Sequence, residues 1–544
     1  MKKIYNIIAV LTLSVFALTS CIKEVMPMTS YATSDQIAAS ASAMQASVNG
    51  IPAQMCQGYL VYGEQVHETD MAFPQFMIAF TELLGDMYPL GSNSGYDWYR
   101  NYNTFSGNVG DNSYFAYLPW FTCYQFIKSC NDIIGSVDIN DPSVTSSIKG
   151  LAGIAYACRA FDYYLLTVMY EPVENIYTDC SNVLGKTVVR VDETTDAEKA
   201  KNNPRMTHKE VTDFMLSDLA IAEECLKNYT PNSKLVPSLA VVYGIRAKVH
   251  MWDKDYANAA KYARLAIDTF GGSPLTEAQW LDVNTGFNTA NQAWMWNLHY
   301  SAENMGNLCN FIGWMSSEAD WGYASLTFPS IDKSLYDKIP VTDFRKYSFL
   351  DPLKYDFYPY QSYRDDEFML ETAPAYLSLK FRPLNGDWKS YEVGGAVDVP
   401  VMRVEEMYLL EAEAVGMSQG VAAGVALLNN FMQTYRDASY SFATADERAF
   451  QLEVLTQERI EFWGEGWGFP NAKRIRPGVM QNYAGTNAPA DIFKINCQDI
   501  KPNWNFVIPI SEVQANKALA GNNNPDPTAT VKGPSPVGEY AKPL

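Results

Sequence analysis

The stretch SLAVVYGIRAKVHMWDKDYANAAKYARLAIDTFGG, Ser238 to Gly272, decides the fold. Ala240, Tyr243, Gly244, Ala247 and Met251 recur at helical spacing and share one helix face. Asp253-Lys254-Asp255 breaks the pattern. Tyr256, Ala259, Ala260, Ala263 and Ile267 then repeat it, and Gly271-Gly272 ends the second helix. Small residues on the facing stripe let two antiparallel helices approach closely, while larger ones fill the groove between them.

With its Tyr256-x-x-Ala259 and Ala263 pattern, the pair resembles a tetratricopeptide repeat (TPR) unit. Similar helices read outward from it at Phe115 to Ile134, Ile148 to Tyr170 and Thr207 to Leu226. The last is opened by a Thr207-x-x-Glu210 capping box. Towards the C-terminus, Val404 to Met417, Val421 to Tyr435 and Asp446 to Trp463 continue the pattern. No strict period is visible, so these are TPR-like pairs and not an array. The expected class is mostly α. Two long irregular stretches interrupt the helices, Gly91 to Gly110 and Phe270 to Pro400. Loops this long in a compact protein are functional or disordered, and their aromatic content argues against disorder. Asn522 to Leu544, rich in Asn and Pro, reads as a surface tail.

The N-terminus reads as an export signal. Lys2 and Lys3 precede an apolar run from Ile4 to Leu18, too short for a membrane span and closed by Leu18-Thr19-Ser20-Cys21. That closure resembles a bacterial lipobox, in which acylated Cys21 becomes the new N-terminus and anchors the protein. The alternative is an ordinary secretory signal with a chance Cys. Hydrophobic residues make up 47% and charged residues 19% of the chain, as in a folded soluble protein. A net charge of −20 argues against nucleic acid as a partner. It also disfavours anionic polysaccharides, unless a local basic patch exists. The other eight Cys form no CxxC pair, so zinc has no signal, and buried free thiols are the expected state.

Several further segments resemble one family, the SusD-like (RagB/SusD) nutrient-binding outer-membrane lipoproteins. Trp120-x-x-x-Tyr124-x-x-Ile127-x-x-x-Asn131-Asp132-Ile133-Ile134 and Arg159-Ala160-Phe161-x-Tyr163-Tyr164-Leu165 resemble its early helices. Asp398-Val399-Pro400-Val401-Met402-Arg403-x-Glu405-Glu406-Met407-Tyr408-Leu409-Leu410-x-Ala412-Glu413-Ala414 resembles its strongest motif. Leu427-Leu428-Asn429 with Tyr435-Arg436, Glu458-Arg459-x-Glu461-Phe462-x-Gly464-Glu465-Gly466, Lys473-Arg474 and Ile508-Pro509-Ile510-x-Glu512 follow in order. The chain departs from the family at Glu171, where a Gly is usual nearby, and at Asn471-Ala472, where Asp-Leu is usual.

The resemblance implies a mostly α SusD-like fold, with TPR-like helix pairs on one side and long irregular loops carrying the ligand site on the other. The boundaries it implies are a signal peptide over 1–20 and a lipid-anchored tether over 21–35. An N-terminal helical region over 36–275 and a C-terminal RagB/SusD region over 276–544 follow. It also implies a non-enzymatic, lipid-anchored protein facing the cell exterior. Such a protein hands an oligosaccharide to a SusC-like TonB-dependent transporter. A peptide ligand is the alternative within the family, and a surface glycosidase or a purely structural scaffold the alternatives outside it. No cofactor or metal is expected.

The residues favour binding over catalysis. None of the four His sits in HExxH, and no GxSxG elbow occurs. Glu458, Glu461 and Glu465 share a helical spacing that suits paired carboxylates, but Arg459, Lys473 and Arg474 lie close in sequence to neutralise them, which favours structural ion pairs. A two-carboxylate site assembled in three dimensions stays open. The binding signal is aromatic: Tyr96, Trp98, Tyr99 and Asn101 in the first loop, and Tyr300, Trp314 and Trp321 in the second. Ring faces suit the CH face of a sugar, and amides bond its hydroxyls. Trp98, Asn101, Trp314 and Trp321 are the favoured contacts, with packing in the core the even alternative for each Trp. Trp294-x-Trp296 suggests a strand with one of the two rings in the core.

Overall fold

Side-chain caps set where the long helices begin. Ser113 Oγ accepts from Ala116 N at 3.1 Å and opens α1, Tyr114–Ile134. Thr145 does the same for α2, Ser146–Tyr170. The expected Thr207–Glu210 box opens α3, His208–Leu226. The quoted stretch forms α4, Leu239–Trp252, and α5, Tyr256–Phe270, the latter capped by Asp255 and ended at Gly271. In the C-terminal half, α6 is Val404–Gln419, α7 is Val421–Tyr435 and α8 is Glu447–Glu461. This computed structural model describes residues 37–38, 40–64, 71–91, 98–104, 109–303, 305, 308–353, 367–529 and 539. The signal peptide, Cys21, the tether and Tyr96 lie outside the described residues.

Successive helices pack on one another from α1 to α5, α5 then packs on α6, and α6 on both α7 and α8. This is the mostly α, TPR-like architecture expected. Gly244 shows what one small residue does: a Cβ there would lie 2.6 Å from Met402 Sδ, so α4 approaches the C-terminal half through it. The main apolar core runs from Ile37 to Leu519 and draws on both sides of residue 275, with a small second cluster around Leu350, Met369 and Leu377. Residues 33–544 are accordingly one compact unit.

Short antiparallel ribbons replace a sheet among the described residues. They pair β1, Met87–Gly91, with β5, Thr327–Ile331; β2, Lys186–Val189, with β3, Arg205–Thr207; and β4, Trp294–His299, with β6, Asp398–Arg403. The strand expected at Trp294-x-Trp296 is present, but both rings are buried, because the ribbon is covered on both faces. The start of the C-terminal segment also differs from a surface tail. Asn524 is buried and donates to Tyr170 O at 2.8 Å and Phe506 O at 2.7 Å, while Arg205 donates to Asn522 O. Its asparagines satisfy carbonyls that the end of α2 leaves open.

Glu171 closes α2. It accepts from Trp252 Nε1 at 2.7 Å and from His208 Nδ1 at 2.8 Å, and the other His208 nitrogen meets Asp253 at 2.9 Å. The hydrogen bond to Glu171, and then Asp253, raise the imidazole to about 9 against its partial burial. Lys473 donates to the carbonyls of Val168, Met169 and Glu171 at the same helix end, and burial lowers its ammonium to about 7. Cys56, Cys123, Cys130, Cys158, Cys180, Cys225 and Cys497 are thiols and form no disulfides; burial pushes Cys497 up to about 12.

Candidate ligand-binding site

Two loop segments bring rings together. A short helix, Arg100–Asn103, follows Trp98 and Tyr99, and a second, Phe311–Met315, carries Trp314. Tyr323 links them. Its ring stacks on Trp314 with centroids 4.0 Å apart and planes 15° apart. Its hydroxyl accepts from Trp98 Nε1 at 3.0 Å. Tyr99 meets Trp314 edge-on at 5.0 Å. Trp98 is thus held at one edge while the ring stays 38% exposed, the most accessible of these rings.

The other expected contacts divide. Tyr99 is fully buried, and Tyr300 is buried with its hydroxyl donating to Cys56 O at 2.7 Å. Neither ring offers a face to a surface ligand, because both pack into the core. Asn101 is half-buried, and its amide donates to Trp98 O at 2.7 Å, so it positions the tryptophan. Trp314 and Trp321 are each only 6% exposed, which removes them from open stacking. Their indole N–H groups are nevertheless buried without a hydrogen-bond partner among the described residues. Unpaired buried donors are uncommon and call for a cause. Leu308 lies exposed beside them, its carbonyl pressed against Gly313 and Gly322. Tyr323, which ties the two loops together, was legible only as one more ring near Trp321.

Of the three carboxylates at helical spacing, Glu461 and Glu465 are enclosed by cations, whereas Glu458 is buried and accepts from the Asn471 amide at 2.9 Å. Glu461 accepts from Arg436 at 2.7 Å, from Arg403 at 3.1 Å and from Arg345 at 3.1 Å. Burial alone would raise its carboxyl, but the three guanidinium groups, Arg436 foremost, hold it well below the usual carboxylate range. Glu465 accepts from Arg403 at 2.8 Å and Lys380 at 2.7 Å, and burial brings the Lys380 ammonium down to about 8. The ion pairs are structural, but their partners are not the sequence neighbours: Arg459 pairs with Asp86, and Arg474 with Glu413. Among the described residues, no group of His, Cys, Asp and Glu is arranged to hold a metal, and no helix is long and apolar enough to cross a membrane.

A SusD-like family model, described as starch-binding and associating with the outer membrane, matches residues 75–251. SusD-like protein P2 of Formosa agariphila is 22% identical over 510 residues, covering 88% of this chain and 92% of its own. A SusD-like carbohydrate-binding protein from Bacteroides vulgatus superposes with a TM-score of 0.69 at 20% identity, covering 89% of this chain and 98% of its own. Surface glycan-binding protein A from Bacteroides uniformis gives 0.63 at 17% identity, covering 89% and 99%. Residues 75–251 thus match the SusD-like family model, the SusD-like relative is similar over most of the chain, and the solved structures show that the chain shares their fold.

Proposed function

We propose that this chain is a non-catalytic binding protein of the outer membrane, anchored through acylated Cys21. It captures an oligosaccharide on the cluster around Trp98 and passes it to a SusC-like TonB-dependent transporter. The observation that carries the reading is Trp98, a large ring held exposed by Tyr323 and Asn101. A fixed, exposed indole suits the CH face of a sugar, with little ordering cost on binding. The unpaired Trp314 and Trp321 donors support a ligand rich in hydroxyl acceptors that reaches past Trp98 into the cluster. Two structural neighbours bear names that describe carbohydrate or glycan binding, which supports the same ligand class. Commitment of Glu461 and Glu465 to buried ion pairs supports binding without turnover.

The test is calorimetric titration of the full chain against a panel of neutral oligosaccharides, with a parallel assay for released reducing ends. Saturable binding of at least one glycan, weakened in Trp98→Ala and without reducing-end release, is expected. Binding that ignores Trp98, or turnover of the bound glycan, overturns the proposal.

A further inference from the structure

The β1–β5 ribbon has two ends. Gly91 pairs with Thr327 at one, and Thr327 Oγ1 donates to Tyr323 O, so that end abuts the aromatic cluster. Met87 pairs with Ile331 at the other, about 13 Å away for a five-residue strand. Just beyond it, Asp332 N donates to Asp86 O at 2.9 Å. A cavity of about 310 Å³ opens there, lined by Gly85, Asp332, Lys338, Arg459, Gln481 and Trp504 among others.

Most charges around it are already matched. Arg459 holds Asp86 through both carboxylate oxygens. Asp332 accepts from Tyr88 at 3.1 Å, Tyr483 at 3.2 Å and the backbone of Ser334 at 2.9 Å. Two groups are not matched. Lys338 is exposed and forms no ion pair among the described residues; Arg459, Asp86, Glu453 and Asp332 are the charges that face it at longer range.

The second is Gln481, which is 2% exposed. Its Nε2 donates to Asn103 Oδ1 at 2.8 Å. Asn103 cannot turn over, because its own amide donates to Glu82 and Met87 O. The Gln481 amide is therefore fixed, and its Oε1 has no donor among the described residues. Gly85, at φ +75°, makes room for that amide: a Cβ would lie 2.7 Å from it. Leaving a buried acceptor unmet costs about 1–3 kcal/mol.

We infer that this cavity is a second ligand site, separate from the aromatic cluster, for a small hydroxylated carboxylate of monosaccharide size, a sugar acid. The carboxylate meets Lys338, a hydroxyl directed along the Gly85 turn supplies the donor that Gln481 lacks, and Trp504 adds apolar wall. The volume lies at the small end of ligand pockets, which run from about 300 to 1,000 Å³. It admits one ring and not a chain.

The full chain is titrated with D-glucuronate, with D-glucose as the uncharged control and acetate as the control without hydroxyls. Glucuronate is expected to bind saturably and at least tenfold more tightly than either control. Lys338→Ala, an exposed position whose loss leaves the melting temperature unchanged, should weaken glucuronate at least tenfold. Trp98→Ala should leave glucuronate binding unaltered, which separates this site from the oligosaccharide reading. Absence of saturable glucuronate binding, equal affinity for acetate, or indifference to Lys338→Ala overturns the inference. Loss of glucuronate binding in Trp98→Ala also overturns it, by placing the acid on the aromatic cluster.

Discussion

A tryptophan whose N–H is spent on a tyrosine hydroxyl offers a partner only its face, and Trp98 is in that state. Trp98→Ala should weaken glycan binding by about 0.5–1.5 kcal/mol, the worth of a stacked pair beyond buried area, with the melting temperature unchanged. Trp314→Ala should behave differently, because its ring fills the stack beneath Tyr323. A stability loss of about 3–5 kcal/mol is expected for a buried Trp, read by denaturant titration. A Trp314 variant as stable as wild type would show that the ring is not packing. Glu461→Gln should destabilise by about 3–5 kcal/mol as well, since three buried guanidinium groups lose part of their counter-charge. Composition and spacing revealed that these loops were rich in rings. They did not reveal which ring faced outward, because exposure of a loop Trp depends on partners such as Tyr323 and Gly394, contributed by distant segments.

At the scale of elements, the periodic segments were the legible ones. α4, α5 and the box that opens α3 lie within a residue of their expected bounds, because periodicity and capping are local. The spacing of Trp294 and Trp296 predicts one ring in the core; both are buried because helices cover the β4–β6 ribbon, a fact of tertiary structure. The His208 clamp was equally invisible, since it joins the end of α2, the start of α3 and the α4–α5 turn. It should be measurable. Folded His208 titrates near 9, above the usual unfolded value of about 6.5. Its stabilisation is therefore fully present below about 6.5 and disappears as pH rises through about 9. Melting temperatures of wild type and His208→Gln should differ most at pH 6 and converge above pH 10. A gap that persists at high pH would show that packing, and not charge, is what the imidazole supplies.

At the scale of the molecule, the anchor proposal predicts that Cys21→Ala leaves the outer-membrane fraction in cells lacking the transporter. Retention there would contradict lipid attachment. The family motifs made the overall architecture legible, and the main apolar core draws on residues from both sides of residue 275. The arginine cluster has a consequence for the order in which the chain can fold. Arg345, Arg403 and Arg436 all leave the ribosome before Glu461 and Glu465, so at first Arg345 has Asp343, while Arg403 and Arg436 have only Glu405 to share. Until the last 84 residues or so follow, two guanidinium groups share one carboxylate and must stay hydrated, and the central core cannot close dry around them. The protein should therefore behave as one late-closing cooperative unit. A chain stopped at residue 457 should remain protease-sensitive throughout, instead of yielding a resistant N-terminal core.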